Sequence, residues 1–149
     1  WAQRFYLPQK PIKAVKLNPL EKKWMKKGMQ LRIRISSLGH RYNNKHPIMI
    51  QHVKQYVALI KELKRLRFLL KRKVKVQGFL SILLNQTLQL EMKIAGHRVV
   101  YQSKHPKLKD LLVQQRLLKN RLKGWLKIRK YKGPLYPPPS RRKPKPLED

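Results

Sequence analysis

Cationic side chains dominate the segment between residues 61 and 76, which reads KELKRLRFLLKRKVKV. Eight of these sixteen residues are Lys or Arg, and Glu62 is the only acid. Closely spaced ammonium and guanidinium groups bind phosphates, and a planar guanidinium can also fork onto two phosphate oxygens or stack on a base. A second basic run lies between residues 116 and 130. The sequence therefore predicts phosphate contacts along both runs.

The candidate nucleic-acid contacts carry a cation in these runs or in the C-terminal tail, or an aromatic ring able to stack on an unpaired base. They are Lys61, Lys64, Arg65, Arg67, Lys71, Arg72, Lys73, Lys75, Arg116, Lys119, Arg121, Lys123, Lys127, Arg129, Lys130, Tyr131, Arg141 and Arg142. A charge run is ordinarily a solvated helix face on which acids alternate with bases. Here the acids are missing, so phosphate contact is the better interpretation.

The charge of the whole chain supports this interpretation. Its 149 residues include 38 Lys or Arg and 6 Asp or Glu, which gives a formal net charge of +32. Two like charges about 6 Å apart in water repel by roughly 0.7 kcal/mol before screening. Summed over many neighbours, this repulsion approaches the roughly 5–15 kcal/mol that stabilises a typical domain. We therefore expect a polyanionic partner, and nucleic acid is the obvious candidate.

Enzymatic chemistry is not expected. The internal acids, Glu21, Glu62, Glu91 and Asp110, are isolated in sequence and are better explained as helix caps or ion-pair partners than as a catalytic pair. There is no glycine-rich phosphate loop. The prediction is therefore no catalytic residues, no cofactor and no small-molecule substrate.

Metal binding and membrane insertion are not expected either. No two of the five histidines have the i, i+4 spacing of a helical metal site, and cysteine is absent. His46 and His105 each precede a proline at a predicted helix start, where a capping role suffices. No apolar run is long enough for a membrane span.

Four helices are predicted along the chain. The first begins at the capping sequence Asn18-Pro19-Leu20-Glu21 and runs towards Met29, although residues 30–36 alternate with period two and could instead form a strand. The second opens at Pro47 and contains the first basic run in its C-terminal half. Its apolar stripe is Val53, Val57, Ile60, Leu63 and Leu70, and Gly78 marks a break.

The third predicted helix, residues 79–96, is the most apolar segment and the best candidate for the core. It can bury Leu80, Leu83, Leu84, Leu90 and Ile94 before Gly96 stops it, with an extended piece following at residues 98–102. The fourth begins at Pro106 and has a packing seam at Leu108, Leu111, Gln115, Leu118, Leu122 and Trp125. Both His-Pro helix starts hint at an internal repeat, but most aligned positions differ.

The expected architecture is mainly α, with three to four long basic amphipathic helices, a helical hairpin and extended arms. We divide the chain into an N-terminal arm at residues 1–18, a helical RNA-binding region at 19–132 and a C-terminal tail at 133–149. The tail holds six of the eleven prolines. Such a segment favours extended polyproline conformation and is not expected to build a core.

Long basic helices flanked by extended Pro/Lys/Arg arms resemble those of ribosomal proteins. The segment LQLEMKIAGHRVVYQSKHPKLKDLLVQQRLLKNRL, residues 88–122, is similar to the two-helix hairpin of a small large-subunit ribosomal protein family. The similarity lies in Leu90, Met92, Ala95 and Gly96 and in the basic second helix. LLVQQRLLKNRLKGWLK, residues 111–127, also resembles a helical family of the small subunit, so the subunit stays open. Both resemblances imply binding to folded ribosomal RNA beside neighbouring ribosomal proteins.

The sequence thus favours a structural subunit of the ribosome. A mitochondrial ribosome is the expected location, because the chain starts at Trp1 rather than Met, as after removal of a targeting peptide. Two alternatives remain: a DNA-compacting protein, or an accessory subunit of another organellar complex held by its leucine seam or lying on anionic lipid.

Overall fold

The computed structural model describes residues 17–138 as four α-helices, which confirms the predicted mainly-α class. They are α1 (Pro19–Leu38), α2 (Pro47–Lys71), α3 (Phe79–Val100) and α4 (Pro106–Ile128), and none of the described residues lies in a β-strand. The N-terminal arm up to residue 16 and the tail from residue 139 lie outside the described residues. None of the four helices is both long and apolar enough to cross a membrane.

Three of the helix starts share one capping arrangement. The Asn18 side chain accepts a hydrogen bond from the Leu20 amide at 2.9 Å, and Nδ1 of His46 and of His105 each accepts one from the amide two residues later at 3.2 Å. Proline follows each cap, where its missing N–H and fixed φ suit the first helical position. The predicted capping roles of both histidines are confirmed.

Gly96, expected to stop the third helix, and Gly28, next to the expected end of the first helix near Met29, both lie inside helices. A Cβ on Gly28 would lie 3.2 Å from Leu59 Cδ2, and one on Gly96 would lie 2.8 Å from Gln55 Nε2. Both glycines permit close approach to α2, and α1 and α3 continue past them. Residues 30–36, for which helix and strand were both open, are helical because α1 runs to Leu38. The extended piece expected at residues 98–102 is wrong for residues 98–100, which belong to α3. Ile33 is 68% exposed, so the alternation that suggested the strand has no buried face behind it.

Each helix runs antiparallel to the next. Arg67 of α2 pairs with Glu21 of α1, and Gln115 of α4 donates a hydrogen bond to Glu91 of α3. The contact of Gly96 with Gln55 pairs the end of α3 with the beginning of α2. The molecule therefore has two ends. One, called the basic end, holds the C-termini of α2 and α4; the other, called the histidine end, holds their N-termini.

Leucine side chains form the core. The main cluster joins all four helices and includes Leu59 and Leu66 of α2 and Leu122 of α4. A smaller cluster joins α3 to α4 at Leu90, Ile94, Leu108 and Leu111, nearer the histidine end. All five leucine and isoleucine positions predicted to be buried in α3 are buried.

The predicted stripe of α2 is only partly correct. Val53 and Val57 are exposed, whereas the buried face runs through Leu59, Leu63, Leu66 and Leu69. Two apolar series on α2 fit helical spacing, one through Val53 and Val57 and one through Leu59, Leu66 and Leu69. Packing against the neighbouring helices buries the second series.

Residues 131–138, here called the strap, turn back from the end of α4 onto the bundle. Leu135 is buried in the main cluster, and Tyr131 and Tyr136 pack against it. The expectation that the proline-containing tail builds no core is therefore wrong for this part of it, since the strap adds a buried leucine to the core.

Candidate nucleic-acid interface

The end of α2 carries a compact group of cations. Arg72 is its C-cap, and Lys73 follows with φ of 63°. The Val74 amide donates to the Leu69 carbonyl at 3.1 Å, and the Lys73 amide donates to the Leu70 carbonyl at 3.0 Å. This pair of hydrogen bonds is a Schellman motif, with lysine at the left-handed position that glycine usually occupies.

The end of α4 repeats this arrangement. Arg129 is the C-cap, Lys130 has φ of 63°, and the Tyr131 amide donates to the Leu126 carbonyl at 2.9 Å. The two segments share a sequence pattern, FLLKRKV at residues 68–74 and WLKIRKY at residues 125–131. In each, an aromatic residue and a leucine precede Arg-Lys and an apolar residue. This paired pattern is readable in the sequence, although the prediction from the two basic runs rests only on their general basic character.

Each C-cap arginine lies over the aromatic ring one turn earlier. The Arg72 guanidinium carbon lies 5.0 Å from the Phe68 ring centroid, and that of Arg129 lies 5.5 Å from Trp125. Such cation–π contacts are worth about 0.5–1 kcal/mol at exposed sites and restrict the guanidinium orientation. The two arginines are therefore partly pre-organised, and both are exposed.

The two helix ends meet. Arg129 Nη1 donates to the Lys75 carbonyl at 3.4 Å, which links the segment after α4 to the segment after α2. Lysine in the left-handed region costs about 1 kcal/mol relative to glycine. Lysine rather than glycine nevertheless occupies the left-handed position at both of these adjacent helix ends. We call Arg72, Lys73, Arg129 and Lys130 the twin cation ends.

The other predicted contacts are mostly exposed. Lys61, Lys64, Lys71, Lys75, Arg116, Lys119, Arg121, Lys123 and Lys127 all present their side chains to solvent. Arg67 is about half-exposed and pairs with Glu21 at 2.8 Å. Tyr131 is half-buried in the strap, while Arg141 and Arg142 lie outside the described residues. The basic run of residues 61–76 is not one helix, since α2 ends at Lys71.

Arg65 does not have its predicted role. It was predicted to contact phosphate, but it is 1% exposed and forms a buried ion pair with Glu62 one turn earlier. Its Nη1 also donates to the Tyr136 hydroxyl at 3.2 Å, and that hydroxyl lies 3.4 Å from Glu62 Oε1. Arg65 lies on the buried face of α2, so it anchors the strap and cannot reach a phosphate.

Burial raises the pKa of Glu62 above its ordinary value of about 4.5, although the Arg65 guanidinium opposes the shift. The more distant Glu91 carboxylate adds to the increase. Burial also raises the pKa of the Tyr136 phenol. The strap therefore closes over a pair of charges that the low-dielectric interior does not fully stabilise.

All five histidines lie at the histidine end. His40 is in the α1–α2 turn, His46 and His105 cap helices, His52 is near the start of α2, and His97 is in the last turn of α3. The His97, Tyr101 and His105 rings follow one another with centroids 5.4 and 4.1 Å apart. Within residues 17–138, no three His, Asp or Glu side chains are grouped to hold a metal ion.

No known protein family, curated protein or solved structure matches this chain.

Proposed function

We propose that the chain is a structural RNA-binding subunit of a ribosome, in which the twin cation ends contact the phosphates of folded ribosomal RNA. The observation that carries this proposal is the Arg-Lys ending that α2 and α4 share. The two endings are joined at one end of the bundle, and neither the segment 68–74 nor the segment 125–131 contains an acidic residue. Neutralising RNA phosphates there releases counterions and removes the mutual repulsion of the cations.

Exposed apolar side chains support a protein neighbour as well. Met29 and Ile33 lie one turn apart on α1, and Val53 and Val57 lie one turn apart on α2; all four are exposed. They belong to the halves of α1 and α2 near the histidine end. A subunit held by RNA at the basic end could therefore contact a neighbouring ribosomal protein at the other end.

The test is binding of the full chain to a structured ribosomal RNA fragment and to duplex DNA of equal charge at about 150 mM salt. We expect tighter binding to the RNA. The variant Arg72→Gln/Lys73→Gln/Arg129→Gln/Lys130→Gln should lower the magnitude of the log–log salt slope by roughly 3, at about 0.7–0.9 per phosphate contact. The matched control, Arg41→Gln/Lys45→Gln/Arg98→Gln/Lys104→Gln, removes the same charges from exposed positions at the histidine end.

Equal affinity for RNA and DNA would favour the DNA-compacting alternative, and equal slopes for the two variants would contradict an interface at the basic end. The mitochondrial setting rests on the sequence-level expectation and is tested separately. A tagged chain should co-sediment with mitochondrial ribosomal particles and leave them after ribonuclease treatment. Retention in a large assembly after RNA digestion would favour an accessory subunit of a different complex.

A further inference from the structure

A cleft of about 700 Å³ lies between α4 and the strap. Lys119, Lys123 and Lys127 line one side and Lys132 another, while Leu126 and Tyr131 contribute to its apolar surface. None of the residues that line the cleft is acidic. The cleft therefore combines a positive rim with an apolar interior.

The strap that forms one wall is held in place by its own residues. Tyr131 Oη donates to the Pro134 carbonyl at 2.7 Å, across a turn that contains Gly133. A Cβ on Gly133 would lie 2.6 Å from Tyr131 Oη and 2.7 Å from its Cζ, so the ring packs directly on this glycine. Beyond the turn, Leu135 is buried and Tyr136 bonds to the buried ion pair. The cleft is thus a built feature of the fold.

The lysines of α4 have a regular spacing. Lys119, Lys123 and Lys127 are four residues apart, which places them on one face of the helix and about 6 Å apart along its axis. This rise is close to the separation of successive phosphates on one nucleic-acid strand. All three are exposed. A row of this kind suits a single strand lying along the helix.

The apolar interior suggests an unpaired base. In a duplex the bases are stacked on each other, so only a single-stranded nucleotide can place a base in a cleft beside its phosphate. Aromatic side chains stack on such bases and strengthen their binding. Tyr131 lies at this position, immediately after the twin cation end of α4.

We propose that the cleft between α4 and the strap binds a short single-stranded segment of RNA, with phosphates along the three lysines and one base against Tyr131. This inference rests on the proposed RNA-binding function and deepens it, because it adds a site for unpaired nucleotides to the phosphate contacts at the twin cation ends. An acidic peptide would match the lysines but would leave the apolar interior unused.

The experiment measures fluorescence anisotropy of the full chain with three labelled probes of about eight units: oligouridylate, an abasic RNA strand of the same length, and oligoglutamate. We expect oligouridylate to bind at least 5-fold more tightly than the abasic strand, because only the former offers a base to the cleft. Lys119→Gln/Lys123→Gln/Lys127→Gln should weaken both RNA probes. The control Lys22→Gln/Lys26→Gln/Lys54→Gln removes three exposed lysines from α1 and α2 and should have a smaller effect.

Gly133→Ala separates the two parts of the site. The added methyl group forces the Tyr131 ring to move without removing a charge or an aromatic side chain, so it should reduce the preference for oligouridylate and leave abasic binding nearly unchanged. Circular dichroism checks that the variant is folded. If it does not fold, the triple lysine variant and its control still decide the proposal.

Equal affinity for the uridylate and abasic strands would overturn the proposal, as would equal effects of the two triple variants. Tighter binding of oligoglutamate would assign the cleft to an acidic protein segment. Binding of the unmodified chain to structured ribosomal RNA, compared with that of the twin-end variant, separates failure of this proposal from failure of the proposed function. If the unmodified chain binds structured RNA but shows no preference for oligouridylate, only the cleft proposal is rejected. If it binds neither RNA, the proposed function is rejected as well.

Discussion

The two ends of the bundle are stabilised in different ways. At the basic end, the main leucine cluster, the buried Glu62–Arg65 pair and the strap surround the termini of α2 and α4. At the histidine end, the smaller cluster joins only α3 and α4, and α2 and α4 begin at histidine caps. The larger part of the long-range packing therefore supports the end with the strongest positive charge, whereas the other end combines a smaller cluster with local capping hydrogen bonds.

This difference has a physical reason. Cations at the twin ends repel one another, and two lysines there occupy a left-handed conformation that opposes folding. Such a surface keeps its shape only if the structure behind it is strongly held. Among the described residues, the histidine end has no such strained cationic positions, so a smaller cluster and helix caps suffice there. If this comparison is correct, variants at the two ends should differ in both the size and the kind of their effects.

The largest effect is expected from Arg65→Ala. The change leaves the Glu62 carboxylate buried without its ion-pair partner and removes the hydrogen bond to Tyr136. Removing one member of a buried pair typically destabilises a protein by about 3–5 kcal/mol. Urea unfolding, monitored by circular dichroism in a buffer with enough salt to screen the surface charge, measures the change.

The matched variant is Glu62→Leu/Arg65→Met, which replaces both charges with apolar groups. We expect it to recover most of the lost stability, because no charge is then left buried without a partner. A double variant as unstable as Arg65→Ala would show that packing of the arginine stem, rather than charge pairing, secures the strap.

The next effect comes from Lys73→Gly/Lys130→Gly at the twin cation ends. Glycine accepts the positive φ without steric conflict, so each change should stabilise the free protein by about 1 kcal/mol. Both changes remove cations, so the salt slope for structured RNA should fall in magnitude by roughly 1.4–1.8. Increased stability with weaker RNA binding would show that these lysines are kept for function. Unchanged RNA affinity would contradict their role as phosphate contacts.

Lys71→Gly/Lys127→Gly is the control for this pair. Both lysines lie within the last helical turn, where glycine lowers stability by about 0.5–1 kcal/mol per site. Both double variants lose two positive charges and should bind RNA more weakly. Only the control should also lose stability, because its glycines replace residues in helical conformation. This contrast isolates the left-handed position from the charge.

Sequence patterns predicted this fold because its main signals are local. Asn18, His46 and His105 each precede proline at a helix start, and α3 is apolar enough to identify the core without knowledge of its partners. Burial of Arg65 could not be read from its neighbours, since an arginine inside a basic run looks identical whether it faces solvent or a glutamate. The roles of Gly28 and Gly96 likewise depend on α2, which approaches them only in the folded chain.

The same limit applies to the candidate interface. Basic composition identified most of its residues, whereas the meeting of the two helix ends required the antiparallel order of the helices. The strap was missed because its proline content favours extended conformation. That conformation is compatible with burial when single apolar residues such as Leu135 reach a core.

A smaller effect should appear in the pH dependence of stability. Because burial raises the pKa of Glu62, the folded state binds its proton more tightly than the unfolded state at pH values just above about 4.5. Raising the pH through this interval therefore favours unfolding, with a slope of at most about 1.4 kcal/mol per pH unit for one group. The free energy of unfolding should fall with rising pH relative to that of Glu62→Gln, which has no carboxyl to titrate. A difference that grows with pH would mean that Arg65 dominates over burial.

The smallest effects are expected at the histidine end. His46→Ala and His105→Ala each remove an acceptor for one helix-terminal amide, and loss of an N-cap typically lowers stability by about 1 kcal/mol. His46→Asn and His105→Asn replace the accepting ring nitrogen with an amide oxygen that can cap the same amide, so they should retain wild-type stability or exceed it. Because this end lies opposite the twin cation ends, the alanine variants should leave the salt slope for RNA unchanged. Thermal unfolding and RNA titration of the four variants test both halves of the statement, and a lowered salt slope in the alanine variants would extend the interface to this end.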